Sequence, residues 1–204
     1  LRYTVDLVLK LAAFVGVPLL VLLRKPPGWL ATGRPSASAR RRWFAFLLVA
    51  AAAFAVQALM GSQFHKLLGG DYATRHVMTG FLACLLWMSV EAGVVEEFFF
   101  RVSLQSRLTA WTNSTLSGVL LGALVFGLAH APGMILRGAG VQEGLGASPP
   151  VLSTFAYAIA VQGVAGLVFG LLWARTRSFV PLVLLHGFFD ALSNTAGFMD
   201  TWGL

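Results

Sequence analysis

Charge is what this chain has least of. Only 11% of its 204 residues are Asp, Glu, Lys or Arg, against 57% apolar residues, whereas a soluble globular domain carries about a quarter charged residues. Acidic groups are the scarcest, eight against fifteen Lys and Arg. Cysteine is almost missing: with Cys84 alone, no intrachain disulfide can form. There is no internal repeat, no low-complexity tract and no His-Glu-x-x-His zinc motif. The formal charge of +7 does not describe a nucleic-acid surface. Six of the fifteen basic residues fall within residues 24–42, between two apolar runs. That is where a positive-inside topology puts them, and no basic nucleic-acid motif accompanies them. These absences leave an integral membrane protein, in contact with a lipid bilayer and not with nucleic acid.

What is present is long apolar sequence. Runs at 5–23, 43–60, 77–95, 115–130, 151–173 and 179–199 lie near the length of about 20 residues that a spanning helix requires. The expected fold is an all-α polytopic membrane protein of six helices. One domain covers 1–204: residues 1–76 hold two spans and a linker, and residues 77–194 hold the core. Pro132-Gly133 is expected to stop the fourth run, and residues 133–150 to form a loop or an inward-dipping gate. Residues 61–76 read as a loop of mixed character, with His65 and His76 solvated. Trp29, Trp43, Trp111, Trp173 and Trp202 fall at segment ends, as an interfacial aromatic belt would place them. Gly118/Gly122 and Gly166/Gly170 read as packing glycines. Twelve Arg against three Lys is compatible with a GC-rich bacterial genome. Residues 24–42, Arg101, Arg107, Arg175 and Arg177 share one side, which should be cytoplasmic.

Buried charge in a span costs a few kcal/mol per group, so it marks function. After the loops are set aside, the polar groups are Glu96 and Glu97 with Arg101, then His130, His186 and Asp190. Glu97 and Arg101 are spaced i, i+4 with the acid first, the favourable order for a helical ion pair. Glu96, about 100° round the helix, is left as the functional carboxylate. Antiparallel pairing of the third and fourth helices levels Glu96 with His130 if the turn falls at Asn113. Thr112-Asn113-Ser114 suits that turn and a helix N-cap. The third helix then runs on to about Thr109, and Glu96 lies roughly 12 Å below the surface. His186, seven residues after Phe179, comes to roughly 10 Å on the same side. His186 and Asp190 share a helix face. A glutamate, two histidines and an aspartate on three helices at one depth form a catalytic or metal-binding set.

Glu-Glu-x-x-x-Arg at 96–101, Phe-x-x-x-His at 126–130 and His-x-x-x-Asp at 186–190, in that order, resemble the CPBP family. These are the CAAX-prenyl-protease and bacteriocin-processing intramembrane endopeptidases, also called the Abi family. The resemblance implies that Glu96 activates water as general base with His130 assisting. It makes His186 and Asp190 the oxyanion stabilisers, and Glu97, Arg101 and Phe126 the supporting residues. Asp190 stands where the motif often has Asn, and an ionised Asp accepts but cannot donate. Val102 stands where a glycine commonly follows the arginine. No cofactor is expected; zinc held by Glu96, His130 and His186 is the alternative.

The implied activity is glutamic-type hydrolysis of a peptide bond in a membrane-associated protein or peptide, near its C-terminus. The implied setting is a bacterial inner membrane, with the site toward the cytoplasm. Alternatives are myxosortase-like removal of C-terminal sorting anchors, a non-catalytic scaffold or immunity protein, and a small transporter. The absence of paired half-repeats ranks the transporter lower.

Overall fold

The computed structural model describes residues 2–24, 38–69, 72–137, 145 and 148–204. These residues form helices joined by short turns, and no strand occurs among them. Among the described residues, six helices are long and apolar enough to cross a membrane: Leu7–Arg24, Arg40–Met60, Thr74–Thr112, Thr115–Leu136, Val151–Thr176 and Phe179–Trp202. The protein is an all-α integral membrane protein. Helices alone satisfy every backbone N–H and C=O within the segment, as hydrocarbon demands. Their outer faces carry side chains such as Leu59, Leu136 and Leu152, each about four-fifths exposed, which lipid accepts and water would not.

The third span is one long helix, as the Asn113 turn requires. Asn113 ends it at φ 51°, a left-handed conformation that asparagine tolerates. The Ser114 hydroxyl oxygen then accepts the Ser117 N–H at 3.2 Å, capping the next helix. The fourth span departs from expectation. It passes through Pro132 and ends at Arg137. Proline withdraws a single hydrogen bond, the one to the Leu128 carbonyl, and within a membrane bundle that loss bends a helix without ending it. A short helix, Ser62–Leu68, replaces part of the loop expected at 61–76, and His65 Nε2 donates to the Ala58 carbonyl at 2.7 Å. Trp43, Trp111 and Trp202 are exposed at helix ends, but Trp173 is buried. The fifth span continues three residues beyond it to Thr176, and the Arg177 guanidinium lies 5.3 Å from its ring. Residues 25–37 with Trp29, Asp71, and residues 138–144 and 146–147 with Glu143 lie outside the described residues.

Packing divides the chain into two compact units. The first runs to Val17, resumes after the first linker as far as Phe98, and includes Ser178–Leu204. Its centre is the sixth span, packed against Thr74–Met88, Ser89–Val94, Ala39–Met60 and Ser62–Leu68. Two glycines set that packing. A Cβ on Gly93 would lie 2.7 Å from the Val183 carbonyl oxygen, and one on Gly187 would lie 2.7 Å from the Ser89 nitrogen. Both obstacles are backbone, so these helices touch where only hydrogen fits. At the surface, Lys66 Nζ lies 2.9 Å from Asp200 Oδ2, and the Tyr72 hydroxyl donates to Asp200 Oδ1. The bond to Asp200, followed by the bond to Tyr72, raises the Lys66 ammonium above its ordinary pKa.

The second unit comprises residues 18–24 and Phe99–Arg177 among those described. The helix Thr115–Arg137 is central, against Ser106–Thr112 and the fifth span. Gln105 Nε2 donates to the Gly170 carbonyl at 2.9 Å. A Cβ on Gly118 would lie 2.8 Å from the Thr109 nitrogen, so this glycine does pack closely.

Among the described residues, four stretches are π-helical: Leu11–Gly16, Ser89–Val94, Phe98–Gln105 and Ile159–Gly163. Such i→i+5 segments are rare and gather at functional sites. Two of them enclose the three-residue α segment Val95–Glu97.

Gly187→Ala should destabilise the protein by about 1–3 kcal/mol through overpacking. Lys66→Ala, which removes only an exposed pair, should leave the unfolding midpoint in detergent unchanged. Thermal unfolding of both variants tests the assignment of the helix crossing as the stabilising contact.

Candidate active site

In the first unit the close approach at Gly93 and Gly187 presses the third span against the sixth, and the polar groups meet beside it. His186 Nδ1 lies 2.7 Å from Glu97 Oε1. An ionised carboxylate only accepts, so Nδ1 carries the proton and donates it. The other ring nitrogen faces two more carboxylates: His186 Nε2 is 3.8 Å from Glu96 Oε2 and 3.6 Å from Asp190 Oδ2. Those separations exceed a direct hydrogen bond and suit a bridging water.

Burial grades the three acids. The Glu97 side chain is fully buried, Glu96 is 22% exposed and Asp190 33% exposed. Glu97 is thus the inner group that fixes the imidazole, and Glu96 and Asp190 face the accessible side. Glu97, expected to be held by Arg101 while Glu96 faces His130 and His186, meets the imidazole as well. Both glutamates face the imidazole, and Glu97 is the nearer.

In the second unit Arg101 is completely buried among aromatic rings. Its guanidinium carbon lies 4.6 Å from the Phe126 ring centroid, 5.8 Å from that of Phe169 and 6.0 Å from that of Phe100, within cation–π range. Phe126 meets Phe100 edge-on at 4.9 Å and the His130 ring at 4.6 Å. His130 Nδ1 lies 2.8 Å from the Phe126 carbonyl oxygen. A carbonyl only accepts, so His130 also carries its proton on Nδ1 and keeps Nε2 for chemistry. Phe126 therefore holds the arginine with its ring and the histidine with its backbone.

The structure thus gathers Glu96, Glu97, His186 and Asp190 in one unit, and Arg101, Phe126 and His130 in the other. Among the described residues, no three His, Cys, Asp or Glu side chains are grouped to hold a metal ion.

A family model described as Type II CAAX prenyl endopeptidase Rce1-like matches residues 78–192. The chain belongs to this family. The match covers more than half the sequence and includes every motif residue from Glu96 to Asp190, while the first two spans lie outside it. No curated protein matches the chain, and no solved structure does. As an Rce1-like protein it is a peptide hydrolase of the CAAX intramembrane type.

A charged pair between two spans escaped the sequence reading. Lys10, in the first span, forms an ion pair with Glu91 of the third. The criterion that singled out Glu96 and Glu97, a carboxylate inside an apolar run, applies equally to Glu91 five residues earlier. The cage residues Phe100 and Phe169 carried no signal, because aromatic residues in apolar helices are ordinary.

Glu97→Ala should lower kcat on the order of 10- to 100-fold, the usual effect of losing a partner that orients a catalytic imidazole. KM should change little, since a fully buried carboxylate has no access to substrate. Steady-state cleavage of a CAAX-type peptide separates the two constants.

Proposed function

We propose that this peptidase cuts a membrane-associated protein near its C-terminus, with Glu96 as the general base that activates water. The observation behind this assignment is the division of labour at His186: its Nδ1 is committed to Glu97 at 2.7 Å, and its Nε2 faces the partly exposed Glu96 and Asp190. Glu96 takes a proton from water as the hydroxide adds to the scissile carbonyl carbon. The developing oxyanion is met by the His186 Nε2–H of the imidazolium form. The C–N bond then breaks, and the proton held on Glu96 passes to the leaving amine.

Asp190, ionised, acts on the intermediate through His186 and not as a donor. His130, with Nδ1 tied to the Phe126 carbonyl, offers Nε2 to help hold the water; its place in the motif order supports that role. No metal enters these steps. The excess of arginine in residues 24–42, at Arg107, and at Arg175 and Arg177 supports a site opening toward the cytoplasmic side of a bacterial inner membrane; Arg101, first counted with them, is buried in the third span.

Glu96→Gln should reduce cleavage by about 10²- to 10⁴-fold, the contribution of a positioned base, and His186→Ala should act similarly. Proteomics of a deletion strain should find membrane proteins with an uncleaved C-terminal tail, restored by the wild-type gene and not by the Glu96→Gln form. Full restoration by Glu96→Gln would sink the reading. Elemental analysis checks the metal-free chemistry: one zinc per chain, lost in His186→Ala, would overturn it.

A further inference from the structure

The first span lies outside the family match, yet it is seated at the site. Its π segment Leu11–Gly16 packs against Val95–Glu97, the segment that holds both motif glutamates. The hold is light. Leu11–Gly16 contributes no buried residue, and Val5, Val8, Leu9 and Val17 on either side of it are exposed. A segment that buries so little apolar surface opens locally at low cost. A bending point is built in as well. Helices kink at π turns and at proline, and Pro18 follows the π segment by two residues. What fastens this half of the span is the ion pair of Lys10 with Glu91, which hydrocarbon favours because each charge offsets the other. The Lys10 side chain is 43% exposed and that of Glu91 22%, so the pair sits at the edge of the packed unit and can part without unpacking a core. Lys10 lies three residues inside the end of the span at Leu7. That is roughly 5 Å, close enough for a parted ammonium to snorkel to the interface.

We propose that the first span is a lateral gate, latched over Val95–Glu97 by Lys10 and Glu91 and hinged at Leu11–Gly16 and Pro18. Its opening admits a membrane-borne chain to Glu96 and His186 from the lipid side. The sixth span also packs on Val95–Glu97, but it is locked to the third span where Gly93 and Gly187 allow backbone contact. The first span is the lightly held neighbour. The gate governs access and leaves the chemistry to the motif residues.

The inference rests on the site lying at Glu96 and His186, whichever group is the base. Its test uses the full chain in lipid vesicles, with Cys84→Ala removing the native thiol and Lys10→Cys/Glu91→Cys replacing the latch. A short bis-methanethiosulfonate cross-linker, spanning only the former ion pair, should hold the gate shut. Cleavage of a lipid-anchored CAAX-type peptide should then fall on the order of ten-fold or more, because a closed gate bars entry, and dithiothreitol should restore it. A long flexible cross-linker of the same chemistry joins the same residues but lets the span swing, so it should leave turnover at the level of the unlinked double variant. Equal turnover with both linkers, whether lost or retained, overturns the proposal. If the double variant does not fold, spin labels at the exposed positions Val8 and Leu86 of the Cys84→Ala chain decide without substrate. Lys10→Met should broaden the distance distribution between them, and an unchanged distribution overturns the gate. Retained cleavage by Glu96→Gln would instead sink the assignment of the base and leave the gate standing.

Discussion

The hydrogen bond from His186 to Glu97, buried between the sixth span and the third, is the constraint on which the rest of the first unit depends. A charged group at the centre of a span costs at least about 2.5–3.5 kcal/mol by insertion scales. A fully buried glutamate therefore persists only with a partner at contact distance. Contact demands that the two helices approach closely, and close approach explains why glycine occupies positions 93 and 187 beside the pair. Once Nδ1 is committed to Glu97, the orientation of the imidazole is fixed, and Nε2 has one direction to face. The accessible carboxylates lie in that direction. Packing, tautomer and candidate chemistry thus follow from one contact.

The second unit solves a parallel problem with different material. Arg101 is as buried as Glu97, and π faces surround it. Phe126 supports Arg101 with its ring and His130 with its carbonyl, so one residue constrains both a cation and an imidazole. The ring accounts for the phenylalanine four residues before the histidine; the i−4 carbonyl that the histidine reaches back to is backbone that any residue supplies.

Most of the architecture was legible because it rests on length and local chemistry. The six spans follow from apolar runs of bilayer thickness, and the Asn113 turn follows from a residue that tolerates positive φ beside a capping serine. The motif residues were legible as charges and imidazoles out of place in apolar sequence. The errors have physical causes. Pro132 was read as a stop because proline breaks helices in water, whereas a bundle in lipid absorbs the missing bond. Trp173 was read as an interfacial residue near a helix end; it does stand in the last turn of its helix, with its side chain buried against neighbours. The contact of Glu97 with His186 went unread because it joins residues 89 positions apart in the sequence. Nothing in composition or periodicity marks a π segment. Glu91 was missed for a simpler reason: it stands alone, without the doubled carboxylate that drew attention to positions 96 and 97.

The π segments have a consequence for how one helix can serve several neighbours. In a regular α-helix, the direction of every side chain follows from that of the first, and residues 91, 97 and 101 would share one angular register. Each wide turn resets that register. The third span behaves as three short helices joined end to end, each aimed independently: Glu91 to the lysine of the first span, Glu97 to the histidine of the sixth, and Arg101 to a nest of phenylalanines. A single helix thereby supplies three different partnerships, with an ammonium, an imidazole and a set of aromatic rings.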